Sequence, residues 1–341
     1  MKHWIKLLPI VSLLLISVAA QAADKPKVIR FGLVGNAYGK PYTSGALGYI
    51  NEYGLLEREF EKDGIQIERS YFIGAGPAVN EAIASGLDDF GSVGDLVVVV
   101  GKSGGLKVKY ILASGSGSNT YIQVNPASGI KTLKDLKGKR IGVNKGTYIH
   151  LGLDRILDGV GLKEKDVKLV NLNSGDANNA LATNGVDAIA SSADRPVVDQ
   201  GIAKLLYDTR KDPQYQSSAG GLLVSESFAK KYPEITKRVV KIFVQGQYWA
   251  SHEQNREKQL IIGLKTGSSY KNSKEDIADQ DLKKKYNPQI TAALEKKYLE
   301  IQDFALAHGI IRRKFNLDTL FDKTYVDAVL KDLGLQNYWE K

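Results

Sequence analysis

From Val28 onward the apolar positions switch repeatedly between strict alternation and a helical stripe. Val28–Leu33 puts Ile29, Phe31 and Leu33 on one face, as a strand does. Strands are expected again at Ile65–Phe72, Asp89–Val93 and Leu106–Ala113, separated by helices at Ser44–Lys62, Pro77–Ser85 and Asp95–Lys102. The pattern then restarts. A short helix at Leu133–Lys137 follows Thr132, a good N-cap. Strands at Arg140–Val143, Val167–Leu172, Val186–Ala190 and Leu205–Asp208 alternate with helices at Thr147–Leu157, Ala177–Ala182 and Pro196–Ala203. In the first of these helices Ile149, Leu153, Ile156 and Leu157 share one face at i, i+4, i+7 and i+8. Such alternation implies two α/β units, each a largely parallel sheet covered by helices. Ser114–Thr120 joins the units, and Tyr121–Val124 and Leu222–Val224 read as strands that carry the chain across and back. The rest is helical: Pro233–His252, Asn255–Lys265, a segment near Lys274–Lys285, Pro288–His308 and Leu317–Leu333, with Gly309 placed to end a helix.

The chain has 341 residues, 43% hydrophobic and 25% charged, which excludes disorder and leaves room for about two domains. Cysteine is absent, so disulfides, thiolate metal sites and cysteine nucleophiles are excluded. The first residues differ from the rest. Lys2 and Lys6 precede an apolar run, Leu7–Ala20, and Ala20-Gln21-Ala22 has the A-x-A form of a cleavage site. Residues 1–22 therefore read as a secretory signal peptide cleaved near Ala22, and the run is shorter than the roughly 20 residues of a spanning helix. The expected mature protein is exported, with the bacterial periplasm as its compartment. The net charge of +9 raises the question of nucleic acid. Lys283-Lys284-Lys285 and Arg312-Arg313-Lys314 are short, lack interleaved aromatics and read as solvated helix faces, so no nucleic-acid partner is expected.

Candidate chemistry lies in the small residues at strand-to-helix junctions. These are Gly35-Asn36-Ala37-Tyr38, Gly74-Ala75-Gly76-Pro77, Ser92-Val93-Gly94-Asp95, Lys145-Gly146-Thr147 and Ser174-Gly175-Asp176. In an open parallel sheet these junctions sit at the carboxyl ends of strands, where helix N-termini offer free N–H groups to an anion. Turn chemistry alone explains any one of them; several in two facing units favour an anion site. Enzymatic signatures fit less well. Gly101-Lys102-Ser103-Gly104-Gly105 has the G-x-S-x-G form but runs from helix to strand, the reverse of a nucleophile elbow. Gly35–Lys40 has three residues between its glycines, not the four of a P-loop, and Pro41 follows. Asp88 and Asp89 are strand neighbours and point to opposite faces. His150, His252 and His308 are far apart in sequence and none lies in H-E-x-x-H, so neither a metal nor a cofactor is expected. The cations of interest are Lys145 and Arg195. Arg195 follows Ser191-Ser192-Ala193-Asp194, where a guanidinium can grip an oxyanion; a surface pair with Asp194 is the equal alternative.

The stretch Phe72-Ile73-Gly74-Ala75-Gly76-Pro77, then Glu81–Asp95 with its Gly86-Leu87-Asp88-Asp89-Phe90-Gly91-Ser92-Val93-Gly94-Asp95, resembles a signature of periplasmic binding proteins. The family is the aliphatic sulfonate, nitrate and taurine binding group that serves ABC importers. Thr132–Val143, Lys145-Gly146-Thr147 with His150, and Gly185-Val186-Asp187-Ala188 resemble its second lobe. Departures are Val97, where the family commonly has Pro, a longer first loop over Gly35–Gly45, and no Trp after Asp187-Ala188. The resemblance implies a type II periplasmic binding protein with two α/β lobes, a hinge and C-terminal helices. Lobe 1 would take 23–120 and 219–341, and lobe 2 would take 121–218. It implies a monomer that binds an organosulfonate or related oxyanion and delivers it to a membrane ABC permease for sulfur metabolism, without catalysis. The expected ligand-binding set is Asn36, Ala37, Tyr38, Gly76, Pro77, Gly94, Asp95, Tyr121, Gly146, Thr147, Tyr148, Ser192, Asp194 and Arg195. Asn36 and Thr147 would donate from side chains, Gly76 and Gly94 from backbone N–H groups, and Arg195 would supply charge. Tyr38, Tyr121 and Tyr148 would flank an organic tail. Alternatives are a thiamine-precursor pyrimidine or other amine-bearing ligand facing Asp95, Asp176 or Asp194, a ligand-sensing subunit of a membrane receptor, and an exported enzyme on the same fold.

Overall fold

The computed structural model describes residues 25–35, 42–217 and 219–340. The expected signal peptide and Asn36, Ala37 and Tyr38 lie outside the described residues. The first unit runs β1 (Val28–Val34), α1 (Gly45–Glu52), α2 (Leu55–Phe60), β2 (Gln66–Phe72), α3 (Ala75–Ala84), β3 (Phe90–Val93), α4 (Asp95–Ser103) and β4 (Val108–Ser114). The second runs β5 (Tyr121–Val124), β6 (Arg140–Val143), α5 (Tyr148–Gly159), β7 (Lys168–Asn171), α6 (Ser174–Ala182), β8 (Ala188–Ser191), α7 (Pro196–Asp199) and β9 (Lys204–Asp208). The chain returns through β10 (Gly220–Ser225) and ends in α8 (Glu226–Lys231), α9 (Pro233–Ala250), α10 (Arg256–Gly263), α11 (Tyr270–Ile277), α12 (Leu282–Lys285), α13 (Ala292–Ala307) and α14 (Thr324–Asp332). Among the described residues no helix is long and apolar enough to cross a membrane.

The two sheets share one plan, β2-β1-β3-β10-β4 and β7-β6-β8-β5-β9. Three strands are parallel in each, and a crossing strand enters fourth and antiparallel: β10 in the first, β5 in the second. Phe31, Phe90 and Phe243 stack in the first core, where α9 adds Val239, Val240 and Val244. Ile122, Ile141, Val143, Leu153 and Ile156 build the second. The two crossing segments are bonded to each other: Gly117 N–H to Ser217 O at 3.2 Å, Ser217 N–H to Ser118 O at 3.1 Å, and Gly220 N–H to Gly115 O at 3.2 Å. Gly115 and Gly117 supply left-handed turns there, at φ 62° and 67°. The lobes also meet along α5, whose Leu151 is buried in the first lobe's core and whose Asp158 pairs with His308.

Four expected helices are interrupted. Ser44–Lys62 breaks at Gly54, which is left-handed at φ 55°. Pro196–Ala203 shortens to α7 before Gly201 turns left-handed at φ 72°. Leu317–Leu333 opens because the edge of β4 takes its backbone: Tyr110 N–H donates to Leu320 O at 2.8 Å and Asp322 N–H to Tyr110 O at 3.0 Å. Lys274–Lys285 is two helices, the second capped by Asp281, which accepts from Lys283 N–H at 2.9 Å. The sequence reading missed α8, which Ser225 caps through Phe228 N–H.

Asp88 lies buried just before β3, with Oδ2 unbonded above Gly32, where a Cβ would come within 2.7 Å of it. Burial, then the neighbouring Asp89 charge, push its carboxyl up to about 6, against the pull of Arg30. The fold thus holds that proton more tightly than the unfolded chain. Its favourable contribution is complete below about pH 4 and is lost as pH rises through about 6. Asp88→Asn is therefore expected to stabilise the protein by about 2 kcal/mol at pH 8, and by much less at pH 4. Urea denaturation at both pH values checks this; equal gains at the two would remove the titration as cause.

Candidate functional site

A cleft of about 590 Å³ lies between the lobes. Its floor is built from helix N-termini. α3 and α4 present Ala75, Gly76 and Gly94 from the first lobe, and α5 and α6 present Thr147, Tyr148 and Ser174 from the second. Each follows a strand that ends at the cleft, so the positive dipole ends converge on it, with Asp176 N–H of α6 capped by Asn173 at 3.0 Å and Leu96 N–H of α4 by Asp95 at 2.8 Å. Ala75 holds a left-handed φ of 57°, rare for a residue with a Cβ. Gly76 is required by packing: a Cβ there would lie 2.4 Å from Val97 Cγ2. α3 can approach α4 this closely only without a side chain at that point.

Six residues of the sequence-derived set line the cleft: Gly76, Gly94, Thr147, Tyr148, Ser192 and Asp194. Their detailed roles differ from expectation in places. The Thr147 hydroxyl donates to Asn144 O at 2.7 Å, so its proton is directed inward. Tyr148, whose phenol burial raises, is hydrogen-bonded to Ser192 across the second-lobe wall. Asp194 accepts Ser269 N–H at 3.0 Å, and burial raises its carboxyl.

Five of the set lie elsewhere. Asp95 is fully buried in the first turn of α4 and accepts Leu96 N–H at 2.8 Å. Pro77 packs against Gly146 across the lobes, where a Cβ on Gly146 would be 3.4 Å from its ring. Gly146 faces a second groove. Tyr121 is fully buried and donates to Asp276 Oδ1 at 2.8 Å.

Arg195 is the main correction. It is 3% exposed and absent from the lining. Its guanidinium donates to Ala193 O at 2.8 Å, Asn272 Oδ1 at 2.9 Å and Glu275 Oε2 at 2.6 Å, and lies 4.4 Å over the Tyr121 ring. The fork is filled by α11, so neither the oxyanion grip nor the surface pair with Asp194 describes it. Lys145 likewise pairs with Glu164 at 2.8 Å.

The sequence reading missed the contribution of the C-terminal helices. Asp276 and Lys285 line the cleft, and Asp276 also accepts Asn119 Nδ2 at 2.9 Å. Lys284 stays exposed, as expected of a solvated lysine run, but Lys285 turns inward and donates to Ser116 O at 3.1 Å. Burial lowers its ammonium, opposed by Asp276. Asp194, Asp276 and Lys285 are the charged side chains among the described lining residues.

A family model described as NMT1/THI5 like matches residues 60–256. The chain belongs to the NMT1/THI5-like family. Among its relatives is an aliphatic sulfonates-binding protein of Bacillus subtilis (strain 168), 28% identical over 287 residues that cover 82% of this chain and 83% of that one. A solved structure of the periplasmic sulfonate-binding protein SsuA of a Methylobacillus flagellatus KT sulfonate ABC transporter superposes with a TM-score of 0.76 at 28% identity, covering 92% of this chain and 96% of that one. The NMT1/THI5-like fold is not restricted to binding proteins. The desulfurization enzyme DSZB shares it, with a TM-score of 0.68 at 16% identity over 90% of this chain and 100% of that one. Binding proteins nonetheless predominate among the neighbours.

Proposed function

We propose that this protein is the periplasmic solute-binding component of an ABC importer and holds a small oxyanion, an organosulfonate above all, between its lobes. The observation that carries this is the convergence of helix N-termini from both lobes on one cleft. Backbone N–H groups at Gly76 and Gly94, and at the start of α5, would hold the oxyanion without a guanidinium. A ligand that touches both lobes favours the closed arrangement, the form a permease would accept. The sulfonate-binding relatives support the ligand class. Export is supported by Lys2, Lys6, the apolar run after them and Ala20-Gln21-Ala22. The protein would act as a monomer and without turnover.

The cleft charges favour a second reading within this role. Asp194 and Asp276 face the ligand space with Lys285 as their opposite. A ligand that carries an amino group besides its anionic end would use them; an aminoalkanesulfonate is one.

A thermal-shift panel on the chain from Ala23 tests both. It contains ethanesulfonate, an aryl sulfonate, taurine, a sulfate ester, nitrate and a pyrimidine. At 100 times its dissociation constant a ligand stabilises by about 2.7 kcal/mol. Sulfonates are expected to shift the midpoint and nitrate and pyrimidine are not. If Asp194 reads an amine, taurine shifts more than ethanesulfonate, and Asp194→Asn narrows the gap. Silence from every oxyanion would overturn the ligand class, and product formation would support the enzyme.

A further inference from the structure

A second groove, of about 580 Å³, opens between the lobes beside the start of α5. Gly146 and His150 face it, with Lys145, Glu164 and, from the first lobe, His308. His150 and Asp154 stand one turn apart on α5, and Glu164 comes from the short helical turn that follows at Glu164–Asp166. One ligand atom from each of the three lies within 4.8 Å of the others. His150 Nε2 is 3.6 Å from Asp154 Oδ2 and 3.6 Å from Glu164 Oε2, too far for hydrogen bonds but suited to a shared centre.

A second observation points the same way. Asp154 is 1% exposed, and neither of its carboxylate oxygens has a hydrogen-bond donor. His150 Nε2 is also buried without a hydrogen bond. A buried carboxylate with no donor is costly. Nδ1 of the same ring accepts Gly146 N–H at 3.3 Å, so Nε2 is the ring nitrogen turned toward the two carboxyl groups. Lys145 occupies only Oε1 of Glu164, which leaves Oε2 for another partner.

We propose that His150 Nε2, Asp154 and Glu164 bind a divalent transition-metal ion, with water on its open side toward the groove. One imidazole nitrogen with two carboxylates suits Zn²⁺, Co²⁺ or Mn²⁺ better than the all-oxygen shells of Mg²⁺ and Ca²⁺. Coordination requires the Nε2 lone pair, so the ring proton moves to Nδ1 and the Gly146 N–H turns away. Gly146 has the freedom for this, at φ 77° with no side chain. Its neighbours Thr147 and Tyr148 line the ligand cleft, so the ion would sit one peptide from that site.

The test uses the untagged chain from Ala23, stripped with chelator and titrated with Zn²⁺ by calorimetry and Co²⁺ by visible absorption. One ion per chain is expected, with Zn²⁺ at least a hundredfold tighter than Mg²⁺ and a shifted Gly146 amide resonance. Asp154→Asn and His150→Gln should each weaken Zn²⁺ at least tenfold. Metal-free Asp154→Asn should melt no lower than the parent, since it removes a buried carboxyl whose oxygens have no hydrogen-bond donor. No Zn²⁺ uptake at millimolar concentration, or uptake that both variants leave unchanged, overturns the proposal. These readouts need no sulfonate and stand apart from the ligand panel.

Discussion

Gly221→Ala is expected to destabilise the protein by about 3 kcal/mol or more, at the upper end of overpacking costs. A Cβ there would lie 1.9 Å from Tyr110 Cε2 and 2.3 Å from Cδ2. The ring cannot step aside. It is fully buried, its hydroxyl donates to Gly220 O at 2.5 Å, and Tyr298 and Phe321 pack edge-on against it at 5.6 and 5.0 Å. The strand cannot step aside either, because β10 is hydrogen-bonded on both sides, to β3 and β4. Urea denaturation reads the effect. Denaturation at the parental midpoint would show that β10 does not face Tyr110 in this register.

Arg195→Ala is expected to lower stability by about 2–3 kcal/mol and to free α11 from the second lobe. The loss leaves Asn272 Oδ1 and Ala193 O without this donor and uncovers the Tyr121 ring. The ion pair itself contributes little of that figure, because the Glu275 side chain is 40% exposed. Arg195→Lys keeps the charge but not the fork, and should recover less than half. Ligand affinity should fall for charged and neutral ligands alike, through a loosened cleft wall. Unchanged stability with a selective loss of anion binding would instead return Arg195 to the ligand. Hydrogen exchange over Tyr270–Ile277 separates the two outcomes.

What the sequence made legible was local. Arg140–Val143 and Tyr121–Val124 form strands with the expected bounds, since short apolar runs between turn residues define them. Gly54 was hidden because the apolar stripe of α1 resumes in Leu55, Leu56 and Phe60, and nothing local tells a tolerated helical glycine from a left-handed one. The cleft followed the same rule. Gly76, Gly94, Thr147 and Tyr148 are strand-to-helix junction residues, and topology alone brings such junctions together. Asp276 and Lys285 reach the cleft from helices more than 60 residues beyond the second sheet, so no motif marks them. Arg195 was placed by its chemistry, but a guanidinium's direction depends on α11, 75 or more residues later in the chain.

The position of β10 also bears on how the chain assembles. It sits between β3 and β4, yet it is made about 110 residues after β4 ends, once the whole second sheet has been synthesised. Whichever side of the membrane the chain folds on, N-terminus-first emergence leaves the first sheet split until β10 follows, with the edges of β3 and β4 that β10 will pair still open. The second lobe has all its strands in one contiguous stretch and needs no such wait. The nascent first lobe is therefore the half exposed to strand-edge aggregation, and the half on which a holdase has the longest time to act.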